Sequence, residues 1–283
     1  MGENILGELG NMALDLGGLG KRCAIITDSN VGPIFEQAVT DSLTAAGFEV
    51  TPIEVPAGEA SKSMAVTTDV CRQMLQAGLD RKSWVVALGG GVVGDLAGFC
   101  AAIFQRGVPF IQIPTTILSL VDSSVGGKTG VNSPEGKNLL GAFHQPKLVL
   151  AELATVLTLP DREYREGFAE IIKHAAIRDG EMLNGLEKHA TDRSGLIPLI
   201  ARNVAIKAKV VEEDERETSG TRALLNFGHT IGHAIEAAAG YGEMLHGEAI
   251  GVGLVPALRL SEQVAGLSQD ASAKVEAAIE AFG

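Results

Sequence analysis

Short, nearly continuous apolar runs alternate with helix-length stretches through the first half of this chain, and after Pro160 that alternation stops. The run Cys23-Ala24-Ile25-Ile26-Thr27-Asp28 predicts a buried strand, and residues 31–46 a helix behind it. Residues 48–55 predict the next strand and 61–76 the next helix, with Ser61 ahead of the periodic run as its start signal. Trp84-Val85-Val86-Ala87-Leu88 runs straight into glycines, and residues 110–113 and 148–150 predict further strands. Strands this apolar, alternating with helices, require a parallel sheet covered on both faces. Beyond Pro160 the apolar period is 3.6, predicting helices over 161–177, 195–211, 224–239, 247–264 and 271–281. The expected fold is therefore α/β: a parallel-sheet dinucleotide-binding domain over 1–155, then an all-α metal- and substrate-binding domain over 156–283.

Composition narrows the function. The chain has 283 residues, room for two domains, and 46% hydrophobic residues to fill their cores. A net charge of −12 argues against nucleic acid or an anionic membrane surface as partner, because both select a basic face. No apolar run reaches the ~18 residues of a membrane span, and no basic-then-apolar leader opens the sequence. Cys23, Cys71 and Cys100 are odd in number and form no CxxC pair, so they read as reduced thiols of a cytoplasmic protein.

Three of the six histidines, His229, His233 and His246, fall within one short stretch, and imidazole both binds metals and moves protons near neutral pH. His229 and His233 are four apart on a predicted helix and share a face, which taken alone suggests two metal ligands. The glutamate that follows the first histidine of a zincin is replaced by Thr230. Glu170 and Lys173 share a face of another helix, flanked by Phe168, Ala169, Ile171 and Ile172. That pair is either a surface ion pair or a metal carboxylate beside a substrate lysine, and its apolar surroundings favour the second.

Gly89-Gly90-Gly91-Val92-Val93-Gly94 satisfies G-x-G-x-x-G between a predicted strand and helix, where a diphosphate can meet backbone N–H groups at the positive end of the helix. The motif follows about the third strand, not the first, and no acid stands ~20 residues on to hold a ribose. Asp95 is then a ligand contact or a residue favoured by the helix dipole. Residues 114–138 are expected as a long loop with Pro114-Thr115-Thr116, Asp122 to Gly130, and Gly136-Lys137-Asn138, whose hydroxyls, glycines and lysines make a phosphate cradle without P-loop spacing.

These segments, in order, resemble the 3-dehydroquinate synthase family of sugar-phosphate cyclases. The likeness is carried by residues 89–95, Gln105-Arg106-Gly107-Val108, Pro114-Thr115-Thr116, Asp122 to Lys128, Gly136-Lys137-Asn138, Gly167 to Lys173, and Arg222-Ala223-Leu224-Leu225-Asn226 through Glu236. The resemblance implies a zinc ion, or cobalt in its place, on Glu170, His229 and His246, with His233 facing substrate as a catalytic histidine; spacing alone favours His233 over His246 as a ligand. It implies NAD+ at Glu59, Lys62, Gly91, Val92, Val93, Gly94, Asp95, Thr115, Thr116, Lys128, Lys137, Thr155 and Thr158. Lys128, Asn138 and Arg222 match the family's phosphate contacts, with Arg106 reaching in from a second subunit of a homodimer. Asp122, Lys173, Lys207, Asn226 and His233 match contacts to the ring and its carboxylate.

The implied reaction takes 3-deoxy-D-arabino-heptulosonate 7-phosphate to 3-dehydroquinate and phosphate through oxidation, phosphate elimination, reduction and aldol closure, with NAD+ regenerated. Sister cyclases making inosose- or valiolone-type rings, polyol dehydrogenases of similar build, and a non-catalytic NAD- or zinc-binding fragment remain as alternatives. Family members carry an extra strand pair before residues 2–6 and continue for some tens of residues beyond 283, including one further phosphate-binding lysine, so the chain is expected to be incomplete at both ends. The segment 216–222 is one residue longer than the family's spacing before the arginine.

Overall fold

The computed structural model describes residues 1–215, 217–240 and 243–283; Arg216, which opens the lengthened segment before Arg222, lies outside the described residues. The chain divides into two compact units, Met1–Thr115 with Gly127–Thr155, and Thr116–Gly126 with Val156–Gly283. No helix is long and apolar enough to cross a membrane, among the described residues.

The first unit runs α1 (Leu9–Leu16), β1 (Arg22–Asp28), α2 (Gly32–Ala45), β2 (Glu49–Val55), α3 (Met64–Gln76), β3 (Trp84–Gly89), α4 (Gly91–Ile103), β4 (Phe110–Pro114), β5 (Lys128–Ser133), β6 (Gly136–Phe143) and β7 (Leu148–Val149). Five strands form a parallel sheet in the order β2-β1-β3-β4-β7. Alternate residues along each strand serve opposite faces. Ala24, Ile26, Val85 and Ala87 pack with Val70 and Met74 of α3 and Leu96 and Ala97 of α4. Cys23, Ile25, Trp84, Val86 and Leu88 pack with Leu9 of α1 and Val39 and Leu43 of α2. Each such aliphatic side chain, fully withdrawn from water, contributes roughly 1.5–3 kcal/mol, which is why the central strands are apolar on both sides. Trp84 meets its polar need by donating from Nε1 to the Gly20 carbonyl at 3.0 Å, with Phe48 edge-on at 5.2 Å.

Two local expectations give way here. Helix α3 starts later than predicted, because Ser63 caps it by accepting from the Val66 N–H at 3.4 Å, while the Ser61 hydroxyl is spent on the Pro56 carbonyl at 2.5 Å. The expected loop 114–138 is largely ordered: Ser119–Ser123 forms a π-helical turn, and β5 and β6 make an antiparallel hairpin with Val131 opposite Leu140. Glycine, serine, asparagine and lysine are weak strand formers, so the cross-strand ladder was not visible in composition.

Every named element of the second unit is helical: α5 (Asp161–Glu166), α6 (Phe168–Arg178), α7 (Ile197–Glu213), α8 (His229–Ala239), α9 (His246–Val264) and α10 (Gln269–Phe282), with short 3₁₀ turns between them. The single helix expected over 161–177 is broken at Gly167. The helix expected from 224 begins only at His229, since Gly228 takes a left-handed φ of 79° and ends the preceding 3₁₀ turn, Thr221–Asn226. Phe168 anchors α6, stacked on Phe282 of α10 at 4.1 Å and tilted against Tyr164 at 5.2 Å.

Candidate functional site

In the second unit, α6 delivers Glu170 to the interior, fully buried, with its carboxylate touching the ammonium of Lys173 one turn on. Neither carboxylate oxygen of Glu170 has a hydrogen-bond partner of good geometry, among the described residues. Two imidazoles face Oε1: Nε2 of His229 at 3.5 Å and Nε2 of His246 at 3.8 Å. His229 points Nδ1 at the Phe227 carbonyl, 3.2 Å away. A carbonyl only accepts, so Nδ1 carries the proton and the Nε2 lone pair is left facing the carboxylate. Burial, against the opposing pull of Glu170, brings the His229 pKa down to about 4, so the ring is neutral at pH 7. His246 has Glu236 Oε2 3.5 Å from Nδ1. Burial acts against its charge, but the facing carboxylates of Glu170 and Glu236 outweigh it and push the pKa up to about 10.

The buried Glu170 is itself held well below the usual carboxylate range: burial opposes this, and Lys173, His246 and His229 prevail. The Glu170 carboxylate and the bare Nε2 of His229 converge on one point, and a divalent ion there would take the place of the proton that His246 holds toward them. Ligand atoms of Glu170, His229 and His246 lie within 4.8 Å of one another, and so do those of His233, Glu236 and His246. The first set contains the buried, unsatisfied carboxylate and is the better seat for a divalent ion such as zinc, with positions left open for substrate oxygens. Glu236 behind His246 completes a carboxylate–imidazole relay of the kind that orients metal ligands. It was not among the sequence candidates, although its position three residues after His233 put it on the same helix.

The frame of His246 is equally specific. Gly247 donates its N–H to Glu166 Oε2 at 2.8 Å, and a Cβ there would lie 1.9 Å from the Glu166 carbonyl oxygen, so only glycine fits. Glu248 accepts from the Leu245 N–H at 2.8 Å and is gripped by Arg162 at 2.6 and 2.8 Å, which closes the first turn of α9.

Around this cluster the same unit gathers more of the expected residues. Lys207 of α7, 6% exposed, donates to Asp122 through its side chain and its carbonyl, both at 2.6 Å. Burial acts to raise the Asp122 pKa, but the Lys207 charge holds it below the ordinary value. Arg222 is buried, donates to the Glu215 carbonyl at 2.6 Å and lies 3.6 Å from Glu217. The His233 ring centroid is 5.1 Å from that of His229 and 5.9 Å from that of His246, so all three histidines share one cluster. His233 and Asn226 are exposed; Thr116 bonds Ser119 at 3.0 Å, and Thr158 is exposed.

In the first unit β3 ends at Gly89 and α4 opens at Gly91 with no side-chain cap, leaving the N–H groups of its first turn available. A Cβ on Gly89 would meet the Val93 side chain at 2.7 Å, which is why the turn is this tight. Lys62, 6% exposed, binds Asp95 at 2.5 Å beside that turn, and Glu59 accepts from Asn132 at 2.7 Å. The buried hydroxyl of Thr115 has no partner among the described residues, whereas that of Thr155 donates to the Glu152 carbonyl at 2.6 Å. Lys128 and Lys137 lie on the hairpin strands, as does Asn138, whose N–H donates to Asn132 at 2.9 Å. Asn138 and Arg106 both take left-handed backbone, with φ of 58° and 72°, and both are exposed.

Sequence models of a 3-dehydroquinate synthase N-terminal region and C-terminal region match residues 52–166 and 167–283. A 3-dehydroquinate synthase of Citrifermentans bemidjiense is 48% identical over 288 aligned residues, covering 100% of this chain and 79% of that protein. Among solved structures, the 2-epi-5-epi-valiolone synthase of Streptomyces hygroscopicus subsp. jinggangensis, with NAD+ and Zn2+ bound, superposes with a TM-score of 0.90 at 28% identity, covering 100% of this chain and 79% of that one. A 2-deoxy-scyllo-inosose synthase complexed with carbaglucose-6-phosphate, NAD+ and Co2+ gives 0.89 at 27% identity, covering 99% and 78%.

Proposed function

The chain belongs to the 3-dehydroquinate synthase family, and from that premise we propose that it converts 3-deoxy-D-arabino-heptulosonate 7-phosphate to 3-dehydroquinate and phosphate, as a phosphate-eliminating carbon–oxygen lyase. The observation that carries the reading is the buried carboxylate of Glu170, unsatisfied by hydrogen bonds and faced by two imidazoles and an ammonium. The sister cyclases among the structural neighbours share only 27–28% identity, against 48% for the synthase relative, which favours dehydroquinate over inosose or valiolone chemistry.

In this reading Glu170, His229 and His246 hold zinc or cobalt. Residues 1–115 and 127–155 form the NAD+ domain, with Gly91 to Asp95, Glu59, Lys62, Thr115, Lys128, Lys137 and Thr155 as its contacts; Thr116 and Thr158 of the helical unit add to them. When bound, NAD+ supplies reversible oxidation of a ring hydroxyl and the metal supplies Lewis acidity on substrate oxygens. The chain's own groups bind and orient. Lys173 sets its charge beside Glu170, where a substrate oxyanion is favoured, and Lys207, fixed by Asp122, offers a second ammonium for the carboxylate. Asn226 and His233 face the ring, with His233 able to hold or release a proton. Lys128, Asn138 and Arg222 take the phosphate, which can remove its own neighbouring proton, so no further strong base is required.

The functional unit in this proposal is a cytoplasmic homodimer in which Arg106 serves the partner's phosphate site. Two observations support it. Gln105 and Arg106 adopt consecutive left-handed backbone with φ of 50° and 72°, a costly conformation that is kept where function uses it. The hairpin also exposes Leu139, Leu140 and Phe143, an apolar patch suited to a second copy. Mixing Arg106→Ala with Lys173→Ala chains should then restore part of the activity through hybrid sites; a strictly monomeric protein rules this out.

Phosphate release from the heptulosonate phosphate, followed with and without a chelator while NADH is monitored, tests the whole reading. Metal-dependent release without net NADH is expected. Net NADH would identify a dehydrogenase, and no release from metal- and NAD-replete protein would leave a non-catalytic binder.

A further inference from the structure

His174 follows Glu170 by one turn of α6 and is fully buried, as is its neighbour Asn203 of α7. The ring pairs with Asn203 through Nδ1, 2.8 Å from the amide oxygen. With the amide in that orientation Nδ1 must be the donor, and two polar atoms, His174 Nε2 and Asn203 Nδ2, are stranded without partners. Worse, the bare Nε2 lone pair would face acceptors: it lies 3.9 Å from Glu170 Oε2, and the ligand atoms of Asp122, Glu170 and His174 sit within 4.8 Å of one another. An ionised carboxylate has nothing to donate.

Amide nitrogen and oxygen exchange places by a half-turn of the side chain that moves nothing else. With Asn203 turned, its Nδ2 donates to Nδ1, the imidazole proton moves to Nε2, and that proton is aimed at Oε2 of Glu170. A single rearrangement thus gives the Asn203 nitrogen a partner and turns the Nε2 proton, in place of a lone pair, toward the carboxylate of Glu170 3.9 Å away. The two oxygens of Glu170 then divide their work: Oε1 faces His229 and His246, while Oε2 faces Lys173 and His174.

We infer that His174, set by Asn203, is a positioning residue of the metal centre, protonated on Nε2 with that proton directed at Oε2 of Glu170 across 3.9 Å, so that Oε1 is presented to the ion. This rests on the reading of Glu170 as a metal ligand. Groups that orient ligands in this way change metal affinity when removed, typically by 10- to 100-fold.

The test uses the full chain labelled with 15N in its histidines, zinc-free and zinc-loaded, with the His174 ring identified by its disappearance in His174→Gln. Long-range 1H–15N correlation should show Nε2 protonated and Nδ1 bare. A proton on Nδ1 with Nε2 bare, as when Lys173 or Lys207 donates to the ring, would overturn the inference and needs no variant to fold. In chelator competition His174→Leu should bind zinc about 10- to 100-fold more weakly, and His174→Gln, whose amide can still donate, should recover most of the loss. His174→Leu that unfolds at the unsubstituted temperature and binds zinc as tightly would also overturn it. Glu170→Ala run alongside separates the two ideas, because undiminished zinc binding there removes the ligand assignment itself. Zinc binding without phosphate release by the unsubstituted chain would count against the synthase reading alone.

Discussion

The two units bury charge in opposite ways. In the first, the ionisable side chains exposed by 6% or less, apart from cysteines, are Lys62 and Glu152, and Glu152 is satisfied by backbone, accepting from the N–H groups of Asn4, Ile5 and Ala154 at 2.5–2.9 Å. Its candidate ligand contact is also backbone, the uncapped start of α4. The second unit buries Glu170, Lys173, His174, His189, Lys207, Asp214, Arg222 and Glu236; Asp214 is met by backbone N–H groups as Glu152 is, but Glu170 is paired with Lys173 and Lys207 with the side chain of Asp122. Desolvating so many charges is unfavourable unless they are compensated. An unsatisfied carboxylate at the centre of such a group is therefore the mark of a functional site, whereas a fully bonded one such as Glu152 marks structure.

That contrast breaks most visibly if metal and nucleotide sites are not separable. Ala at Glu170, His229 or His246 should remove bound zinc and lower phosphate release by about a thousandfold or more, with NAD+ affinity preserved by calorimetric titration. His233→Ala should keep its zinc. Zinc retained in His246→Ala and lost in His233→Ala would transfer the ligand role to the other histidine.

Next in size is the cost of stranding a buried charge. Lys173→Met leaves Glu170 without its ammonium and should destabilise the zinc-free protein by about 3–5 kcal/mol in denaturant titrations. Bound zinc should offset part of that. Lys62→Met, whose partner Asp95 is reached by solvent, should cost under about 2 kcal/mol. Equal losses would mean that the two units do not differ in this respect.

A backbone substitution probes the first unit alone. Gly89→Ala sets a methyl 2.7 Å from the branched side chain of Val93, which should cost about 1–3 kcal/mol and weaken NAD+ binding while zinc content is unchanged. The smallest expected effect is chemical. Burial pushes the Cys23 thiol up to about 12, whereas a hydrogen bond with Cys100 lowers that of the half-buried Cys71. Brief alkylation of the native protein, read by mass spectrometry, should mark Cys71 and spare Cys23; equal labelling would show that the sheet is not closed over Cys23.

Residue order alone determined the parallel sheet followed by helices, because periods of 2 and 3.6 and unbroken apolar strands are local properties that burial enforces directly. It also carried the family likeness, which resides in contiguous motifs. Tertiary structure decided what depends on distant partners. Thr116–Gly126 belongs with the helical unit although sheet residues flank it on both sides, and Ser63 rather than Ser61 caps α3 because the Ser61 hydroxyl found a carbonyl elsewhere. Spacing on α8 paired His229 with His233, yet His246, at the start of another helix, lies just as close to the cluster. His174 and Asn203 gave no signal in the sequence, and Glu236 only its place on the helix of His233, for the same reason: a hydrogen bond between helices leaves no period, and only the packing of α6, α7, α8 and α9 brings those polar atoms around Glu170.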